Sequence, residues 1–177
     1  SPDFGINGVI DRFGQIEPKV LFACDGYYYN GKPLDTSERV SEICRQITSI
    51  CQRVIVPIIG ACTEIPDALD YADFLLTDNT PPLDFEQLPF DHPLYIVYSS
   101  GTTGVPKCIV HGAGGTLLQQ LKEHRLHVDL RPDDVLFYFT TCGWMMWNWL
   151  VAGLASEATL VLYDGAPFFP NSSAMMD

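Results

Sequence analysis

The sequence predicts an α/β fold: a layered domain with a largely parallel sheet and helices on both faces. Short apolar runs bounded by Gly, Pro or polar residues recur along the chain, as expected for buried strands. Segments with apolar residues at helical spacing alternate with them. Because parallel strands need a crossover connection and are buried on both faces, this alternation favours a parallel sheet covered by helices.

Two helices, each followed by a strand, are predicted in the first half of the chain. Apolar residues at helical spacing predict helices over 6–13 and 37–50, and the polar segment 35–37 supplies a helix-start signal. Continuous apolar runs predict strands over 19–23 and 53–59. This order begins the α/β alternation.

A tyrosine-rich segment lies between these elements. Tyr27, Tyr28 and Tyr29 precede an Asn-Gly pair, which is a strong signal for a short hairpin, here over 27–32. A run of aromatic residues can also stack on nucleic-acid bases. No cluster of basic residues surrounds the tyrosines, so the hairpin is the favoured interpretation.

The second half of the chain continues the alternation after a less regular region. Residues 68–75 are compatible with a short helix, and the Pro-rich segment 80–93 is predicted to be a loop. Strands are predicted over 94–98, 134–139 and 158–163, the last two on either side of a Trp-rich segment of helical length. A helix is predicted between the first two of these strands, with one apolar face formed by Leu117, Leu118, Leu121, His124 and Val128.

The charge balance argues against anionic macromolecular partners. Ten Lys and Arg residues against 22 Asp and Glu residues give a formal net charge of −12, which disfavours nucleic acid and anionic membrane surfaces. No apolar run approaches the roughly 18 residues that span a bilayer, and the N-terminus has no secretory signal pattern. The sequence therefore predicts a cytosolic protein with small-molecule substrates.

Neither the cysteines nor the histidines form a metal-ligand pattern. His124 and His127 are three residues apart beside Glu123, but only His124 falls on the apolar face, so a shared metal ion is disfavoured. There is no C-x-x-C pair, and reduced, mostly buried thiols are predicted. The six cysteines are Cys24, Cys44, Cys51, Cys62, Cys108 and Cys142.

The segment 98–107 concentrates phosphate-binding chemistry directly after a predicted strand and before a predicted helix. Glycines let the backbone bring N–H groups onto an anion, hydroxyls add donors, and a lysine adds a compact positive charge. The spacing differs from the P-loop pattern G-x-x-x-x-G-K-S/T, because Gly101 and Gly104 are only three apart. We expect the loop to hold the β- and γ-phosphates of ATP through Ser99, Ser100, Gly101, Thr102, Thr103, Gly104 and Lys107.

Residues 99–107 resemble the signature loop of the adenylate-forming superfamily, which includes acyl-CoA synthetases, luciferases and peptide-synthetase adenylation domains. The loop matches the pattern Ser/Thr-Ser/Thr-Gly-Ser/Thr-Thr-Gly-x-Pro-Lys at every position. Segments 1–5, 12–19, 108–112 and 140–149 are similar to the acetoacetyl-CoA synthetase branch, and the resemblance covers nearly all of the chain. It implies that residues 1–177 are a partial AMP-binding domain, belonging to the large N-terminal domain of such a ligase and lacking its C-terminal domain.

The resemblance implies a two-step reaction that uses ATP, Mg²⁺ and CoA. The carboxylate of the acid, with acetoacetate as the first candidate, attacks the α-phosphate and releases pyrophosphate; the CoA thiol then displaces AMP. In this mechanism residues 99–107 hold the leaving pyrophosphate, and Lys107 is a phosphate clamp. The adenine, ribose and catalytic-lysine motifs of the family are not found in this sequence, so we expect the catalytic residues downstream and the 177-residue chain to be inactive alone.

Three residues are candidates for the acyl and CoA pockets. Gly143 and Trp144 stand where acetyl-CoA synthetase relatives have a Gly-Trp element beside these pockets, and core packing is the alternative for Trp144. Core packing is predicted for the other tryptophans and methionines of 145–149. His111 is the third candidate, with a backbone hydrogen bond as the alternative for a histidine near a strand end.

Two functions of different classes follow from the sequence. The first is part of an ATP-dependent acid:CoA ligase in ketone-body or lipid metabolism. The second is a non-catalytic nucleotide-binding or interaction module derived from such a ligase. Both would contain the phosphate loop, and a chain that starts without methionine and stops soon after a strand is expected to be a piece of a longer protein. The sequence indicates neither an oligomeric state nor a preference between acetoacetate and other short acids.

Overall fold

The computed structural model describes residues 3–61, 65–75, 80–99 and 104–176. The chain forms two compact units, one from residues up to 83 together with the segment from 165 onward, the other from residues 84–164. The predicted α/β class is confirmed, because each unit combines helices with parallel strand pairs.

The first unit is built around a three-stranded parallel sheet. In chain order its elements are α1 (Ile6–Phe13), β1 (Val20–Cys24), β2 (Gly26–Tyr29), β3 (Lys32–Asp35), α2 (Ser37–Gln46), β4 (Gln52–Val56), β5 (Ala68–Asp70) and a one-turn helix α3 (Tyr71–Phe74). The strand order is β1-β4-β5, with Phe22 opposite Val54. The apolar side of α2 and the turn that follows it supply most of the buried core, which comprises Val40, Ile43, Cys44, Ile47, Ile50 and Ile55.

Strands β2 and β3 form the predicted hairpin. They pair antiparallel with Tyr29 opposite Lys32. Asn30 and Gly31 have φ values of 48° and 75°, as a two-residue turn that matches the strand twist requires. Because Tyr28 and Tyr29 are more than half exposed at the tip of this turn, they contribute little to the core.

The buried carboxylate of Asp25 fixes the loop that follows β4. Its Oδ1 accepts hydrogen bonds from the N–H groups of Ile58 (2.7 Å) and Ile59 (3.1 Å), and its Oδ2 accepts one from Ala61 (2.8 Å). Burial raises the pKa of this carboxyl, but these backbone donors outweigh burial and hold the pKa below its ordinary value. The N–H of Asp25 also donates to Val56, so this residue ties together the ends of β1 and β4.

The second unit contains two separate strand pairs. Its elements are β6 (Pro93–Ser99), β7 (Lys107–Gly112), α4 (Ala113–Lys122), a π-helical turn (Glu123–His127), β8 (Val135–Phe137), α5 (Met146–Ala152), a 3₁₀ turn (Gly153–Ser156) and β9 (Thr159–Val161). Strands β6 and β7 are antiparallel, whereas β8 and β9 are parallel. A small core lies between α5 and the β8–β9 pair and comprises Leu130, Leu136, Leu150 and Ala158, with Trp147, Trp149 and Leu160 packed against it.

Two predicted segments are corrected by strand pairing. Residues 68–75 are not one short helix, because residues 68–70 pair with the edge of β4 as strand β5 before the helical turn begins. The predicted order of strand, loop and helix omitted β7, which follows the phosphate loop and pairs with β6. In both cases a tertiary contact decides the conformation of a segment whose own pattern is weak.

The apolar face predicted for the helix after the phosphate loop is only partly correct. His124 is buried, but Leu117 and Leu118 are 51% and 61% exposed. The α-helix ends at Lys122 and continues as a π-helical turn. Because a π turn has i→i+5 hydrogen bonds, the regular 3.6-residue spacing does not hold across this point.

The prediction of mostly buried cysteines is wrong for the described residues. Cys44 is buried, Cys24 and Cys108 are half-buried, and Cys51 and Cys142 are exposed. The two exposed cysteines lie in connections that flank apolar elements rather than inside them. Burial raises the pKa of Cys44, so its thiol stays protonated. Cys62 lies outside the described residues.

We expect Asp25→Asn to destabilise the protein by about 2–3 kcal/mol, because an amide NH₂ replaces one acceptor oxygen and faces a backbone N–H. The pKa of Asp25 is lowered on folding. The stabilisation that the ionised carboxylate provides is therefore complete above about pH 4, and it is lost as the pH falls through the pKa of the folded state. Urea unfolding of the wild type and the variant should therefore differ at neutral pH and converge in acid. Asp11→Asn, at an exposed position of α1, is the control. If the difference in unfolding free energy between the wild type and Asp25→Asn does not narrow in acid, the role of the Asp25 charge is contradicted.

Candidate functional site

Strands β6 and β7 bring the two ends of the phosphate loop together. Ser99 and Lys107 are partners at the loop end of the antiparallel pair, and Tyr98 and Cys108 are the next pair along. Directly opposite Cα atoms in such a pair are about 5 Å apart. Aromatic and β-branched residues in β6 favour this extended pairing. The Ser99 hydroxyl and the Lys107 ammonium therefore stand at the two ends of the segment 100–106.

The described part of the loop combines an unusual glycine with an exposed cation. Gly104 has a φ of 111°, a conformation in which a side chain would be strained, so glycine is required there. Lys107 is exposed. Ser100, Gly101, Thr102 and Thr103 lie outside the described residues, so their phosphate contacts stay a prediction.

One face of the β6–β7 hairpin carries both sets of candidate residues. Side chains alternate along a strand, so Lys107 and His111 share a face, with Cα atoms about 13 Å apart. Their partners on β6 are Ser99 and Tyr95. The ring of His111 stacks on that of Tyr95, with centroids 5.3 Å apart and an interplanar angle of 26°. The phosphate candidates therefore lie at one end of this face and the His111–Tyr95 stack at the other.

A cavity of about 700 Å³ lies beside the His111–Tyr95 stack. Helix α5 and the residue before it supply an apolar wall that includes Met145, Met146 and Trp149. Helix α4 and the π turn supply a polar wall that includes Thr116, Gln119 and Glu123. A cavity of this size, with an apolar lining and a few polar groups, is suited to a small organic ligand.

Glu123 is the charged group of the polar wall. Its carboxylate lies 2.9 Å from the Lys122 ammonium and accepts a hydrogen bond of 3.0 Å from Gln119 Nε2. The hydrogen bond from Lys122 holds the pKa of Glu123 below its ordinary value, so the group is ionised at neutral pH. The polar wall thus offers hydroxyl and amide groups beside a carboxylate that is already paired.

Gly143 and Trp144 do not contribute to the described part of this cavity wall. Both are exposed, and Trp144 is 66% exposed. The backbone N–H of Trp144 donates to the carbonyl of Thr141 in the turn before α5. Core packing of Trp144 is therefore wrong, and so is core packing of Met145, which is 51% exposed. The pocket roles of Gly143 and Trp144 stay predictions. Core packing of Trp147 and Trp149 is confirmed.

His124, for which the sequence suggested only a disfavoured metal site, lies against Trp149 of the cavity wall. It is completely buried, and its ring lies 4.6 Å from that of Trp149. No side chain of the described residues hydrogen-bonds either ring nitrogen. Burial lowers its pKa, although backbone groups of Gln120 and Trp149 favour protonation, so the ring is neutral. Its position on the apolar face was the only signal in the sequence.

The described ranges contain neither a metal-binding cluster nor a membrane-spanning helix. No three His, Cys, Asp or Glu residues there come close enough to hold a metal ion. No helix there is both long and apolar enough to cross a bilayer. His127 is exposed whereas His124 is buried, so the two histidines lie in different environments.

Known proteins resemble this chain along its whole length. A family model described as AMP-binding enzyme matches residues 1–177. The acetoacetyl-coenzyme A synthetase of Rhizobium meliloti (strain 1021) is 56% identical over 181 residues, which cover 100% of this chain and 28% of that protein. The malonamoyl-CoA synthetase of Penicillium aethiopicum is 47% identical over 178 residues, covering 96% of this chain and 25% of that protein.

A solved structure agrees with these relatives. The acetoacetyl-CoA synthetase from Streptomyces lividans matches with a TM-score of 0.91 and 47% identity, covering 98% of this chain and 26% of that chain. The present chain therefore spans about a quarter of the length of the relatives that it matches. For the Rhizobium meliloti protein the share is 28%.

The neutral, buried His124 makes stability depend on pH. Its folded pKa is below the ordinary value of 6.5, so the unfolded chain binds the proton first as the pH falls. Stability is therefore complete well above about pH 6.5 and falls below it, by at most about 1.4 kcal/mol per pH unit. Chemical denaturation at about pH 7.5 and 5.5 should show that the free energy of unfolding decreases less between these pH values for His124→Phe than for the wild type. The exposed control His127→Phe should keep the wild-type loss, and equal losses in all three proteins would refute the assignment.

Proposed function

The chain belongs to the AMP-binding enzyme family, and from this premise we propose that it forms the phosphate-loop part of a cytosolic ligase that joins acetoacetate to CoA using ATP. In this proposal residues 1–177 are a partial AMP-binding domain. The residues that catalyse adenylation and thioester formation belong to the rest of a longer polypeptide. The similarity to acetoacetyl-CoA synthetases over the whole chain supports the choice of acid.

The reaction has two steps. A carboxylate oxygen of the acid attacks the α-phosphorus of MgATP, the bond to the β-phosphate oxygen breaks, and pyrophosphate leaves with Mg²⁺. The CoA thiolate then attacks the acyl carbon of the adenylate, AMP leaves, and the thioester remains. In the first step the leaving group gains negative charge, so fixed donors and a cation around it lower the barrier.

The observation that carries this proposal is the pairing of Ser99 with Lys107 at the loop end of the β6–β7 hairpin. Antiparallel pairing fixes Ser99 and Lys107 at the two ends of the loop, so these two residues need little reordering when pyrophosphate forms. Lys107 supplies the cation at that end. The other end of the same hairpin face, with His111, is about 13 Å away. This separation leaves room for the β- and γ-phosphates at one end and the acid at the other.

The cavity beside His111 is our candidate for the acid site. Its apolar wall suits a short carbon chain, and its hydroxyl and amide groups suit a carbonyl oxygen. Acetoacetate and malonamate, the acid implied by the name of the second relative, both carry a carbonyl group β to the carboxylate. We therefore propose short 3-oxo acids and their amide analogues as the substrate class.

The direct test is acetoacetate-dependent exchange of labelled pyrophosphate into ATP, with the protein that contains this chain. Exchange without CoA would demonstrate the first step, and thioester formation after CoA addition would demonstrate the second. Nucleotide binding with no exchange would reject the ligase and favour the alternative, a non-catalytic nucleotide-binding module.

Replacement of Lys107 by methionine tests the phosphate clamp. This change keeps the length of the side chain and removes the charge, so kcat/KM for ATP in the exchange reaction should fall about 10²–10³-fold. Stability should change by less than about 0.5 kcal/mol, because Lys107 is exposed. Lys32→Met, on the β2–β3 hairpin, is the matched control and should retain full exchange. Unchanged exchange in Lys107→Met would exclude the clamp.

A panel of acids tests the substrate class. Butyrate has the chain length of acetoacetate but lacks the 3-carbonyl group, so it should be activated at least about tenfold less efficiently, because polar groups of the site would stay unpaired. Malonamate should be activated more efficiently than butyrate. The quantity to compare is kcat/KM in pyrophosphate exchange at constant ATP. Equal values for butyrate and acetoacetate would show that the 3-carbonyl is not recognised.

A further inference from the structure

Trp149 is the largest side chain in the apolar wall of the cavity. It lies on α5, and its indole is held between two other rings. Tyr138 contacts it edge to face, with centroids 5.7 Å apart and an interplanar angle of 62°. His124 contacts it in a tilted arrangement, at 4.6 Å and 41°. The position of the indole therefore depends on groups outside the cavity wall.

Of these two supports, His124 is the more constrained. Its side chain is completely buried, whereas Tyr138 is 41% exposed. His124 belongs to the π-helical turn, a widened turn of a kind that often occurs at functional sites. The N–H of Leu130 donates to the carbonyl of His124 at 2.8 Å, which ties this turn to the core residue Leu130. A ring fixed in this way can hold the indole in one orientation.

The environment of His124 argues against a direct chemical role. It is buried against Trp149, and the described wall of the cavity does not include it. Among the described residues its ring nitrogens have no partner with which to relay a proton. Its contribution is therefore made through the position of Trp149.

We propose that His124 is a positioning residue that holds the Trp149 indole in the cavity wall and thereby limits the length of the acid that the cavity accepts. This inference rests on the proposed function, in which the cavity takes the acid. Removal of the supporting ring would let the indole move into the vacated space and deepen the cavity. The kcat/KM for a longer 3-oxo acid would then rise relative to that for acetoacetate, whereas binding of ATP on the phosphate loop would not change.

The selectivity test compares His124→Ala with His124→Phe in the ligase that contains this chain. The measured quantity is the ratio of kcat/KM for 3-oxohexanoate to that for acetoacetate. His124→Ala should raise this ratio about tenfold, since two methylene groups decide the difference. His124→Phe keeps a ring beside the indole and should stay near the wild-type ratio, as should the exposed control His127→Ala.

Comparison of the effects on the two acids and on ATP distinguishes a positioning role of His124 from a general loss of activity. The KM for ATP should be unchanged in every variant. An unchanged ratio in His124→Ala, or an equal loss of efficiency for both acids and for ATP, would overturn the proposal. A wild-type ratio in His124→Phe, a variant that keeps an aromatic ring beside the indole, would support it.

A second measurement does not depend on ligase activity. With Trp144, Trp147 and every other tryptophan except Trp149 of the protein that contains this chain replaced by Phe, emission reports on Trp149 alone, and acrylamide quenching reports its accessibility. His124→Ala should increase the quenching constant, whereas His124→Phe and His127→Ala should not. An unchanged constant in His124→Ala would overturn the positioning role even if exchange is observed. An increased constant in a protein without acetoacetate-dependent exchange would instead reject the proposed function and retain the positioning of Trp149.

Discussion

Backbone pairing between β6 and β7 is the constraint on which the candidate site depends. One register places Ser99 opposite Lys107 and Tyr95 opposite His111, so the ends of the phosphate loop and the edge of the cavity belong to one rigid hairpin. The side-chain period of a strand is two, so a slip of one residue would turn Lys107 and His111 to the opposite face. The hydrogen-bond ladder thus couples the proposed phosphate site to the proposed acid site without any direct contact between their side chains.

The cavity depends on close approaches as well as on this pairing. At the start of α4, a Cβ on Gly114 would lie 2.1 Å from the ring of Phe90, which also lines the cavity. The Gly114 N–H donates to the Phe90 carbonyl at 2.8 Å, so glycine allows the loop before β6, which contains Phe90, to lie directly on α4. On the opposite wall, the rings of Tyr138 and His124 hold Trp149. Each wall is therefore positioned by residues that the ligand would not touch.

Local signals were sufficient for much of the fold, and long-range contacts explain the rest. Helix α1 and the Asn30–Gly31 turn follow from spacing and turn chemistry, and the structure has both where expected. Strands β5 and β7 depend on partners distant in sequence, so their own residues did not reveal them. The phosphate loop is a contiguous pattern and was recognisable at once. The cavity is assembled from β6, β7, α4 and α5, and no contiguous pattern encodes it.

This difference in construction bears on how acid specificity can vary. In the proposed function, the phosphate end would use backbone groups, small hydroxyl residues and one lysine within a single loop, so few substitutions there would preserve function. The acid end is a wall of separate side chains, in which one ring such as Trp149 can be moved by a neighbour. Changes at two or three wall positions can therefore alter the accepted acid while the rest of the sequence is kept. This accounts for relatives named for two different acids that both match nearly the whole chain.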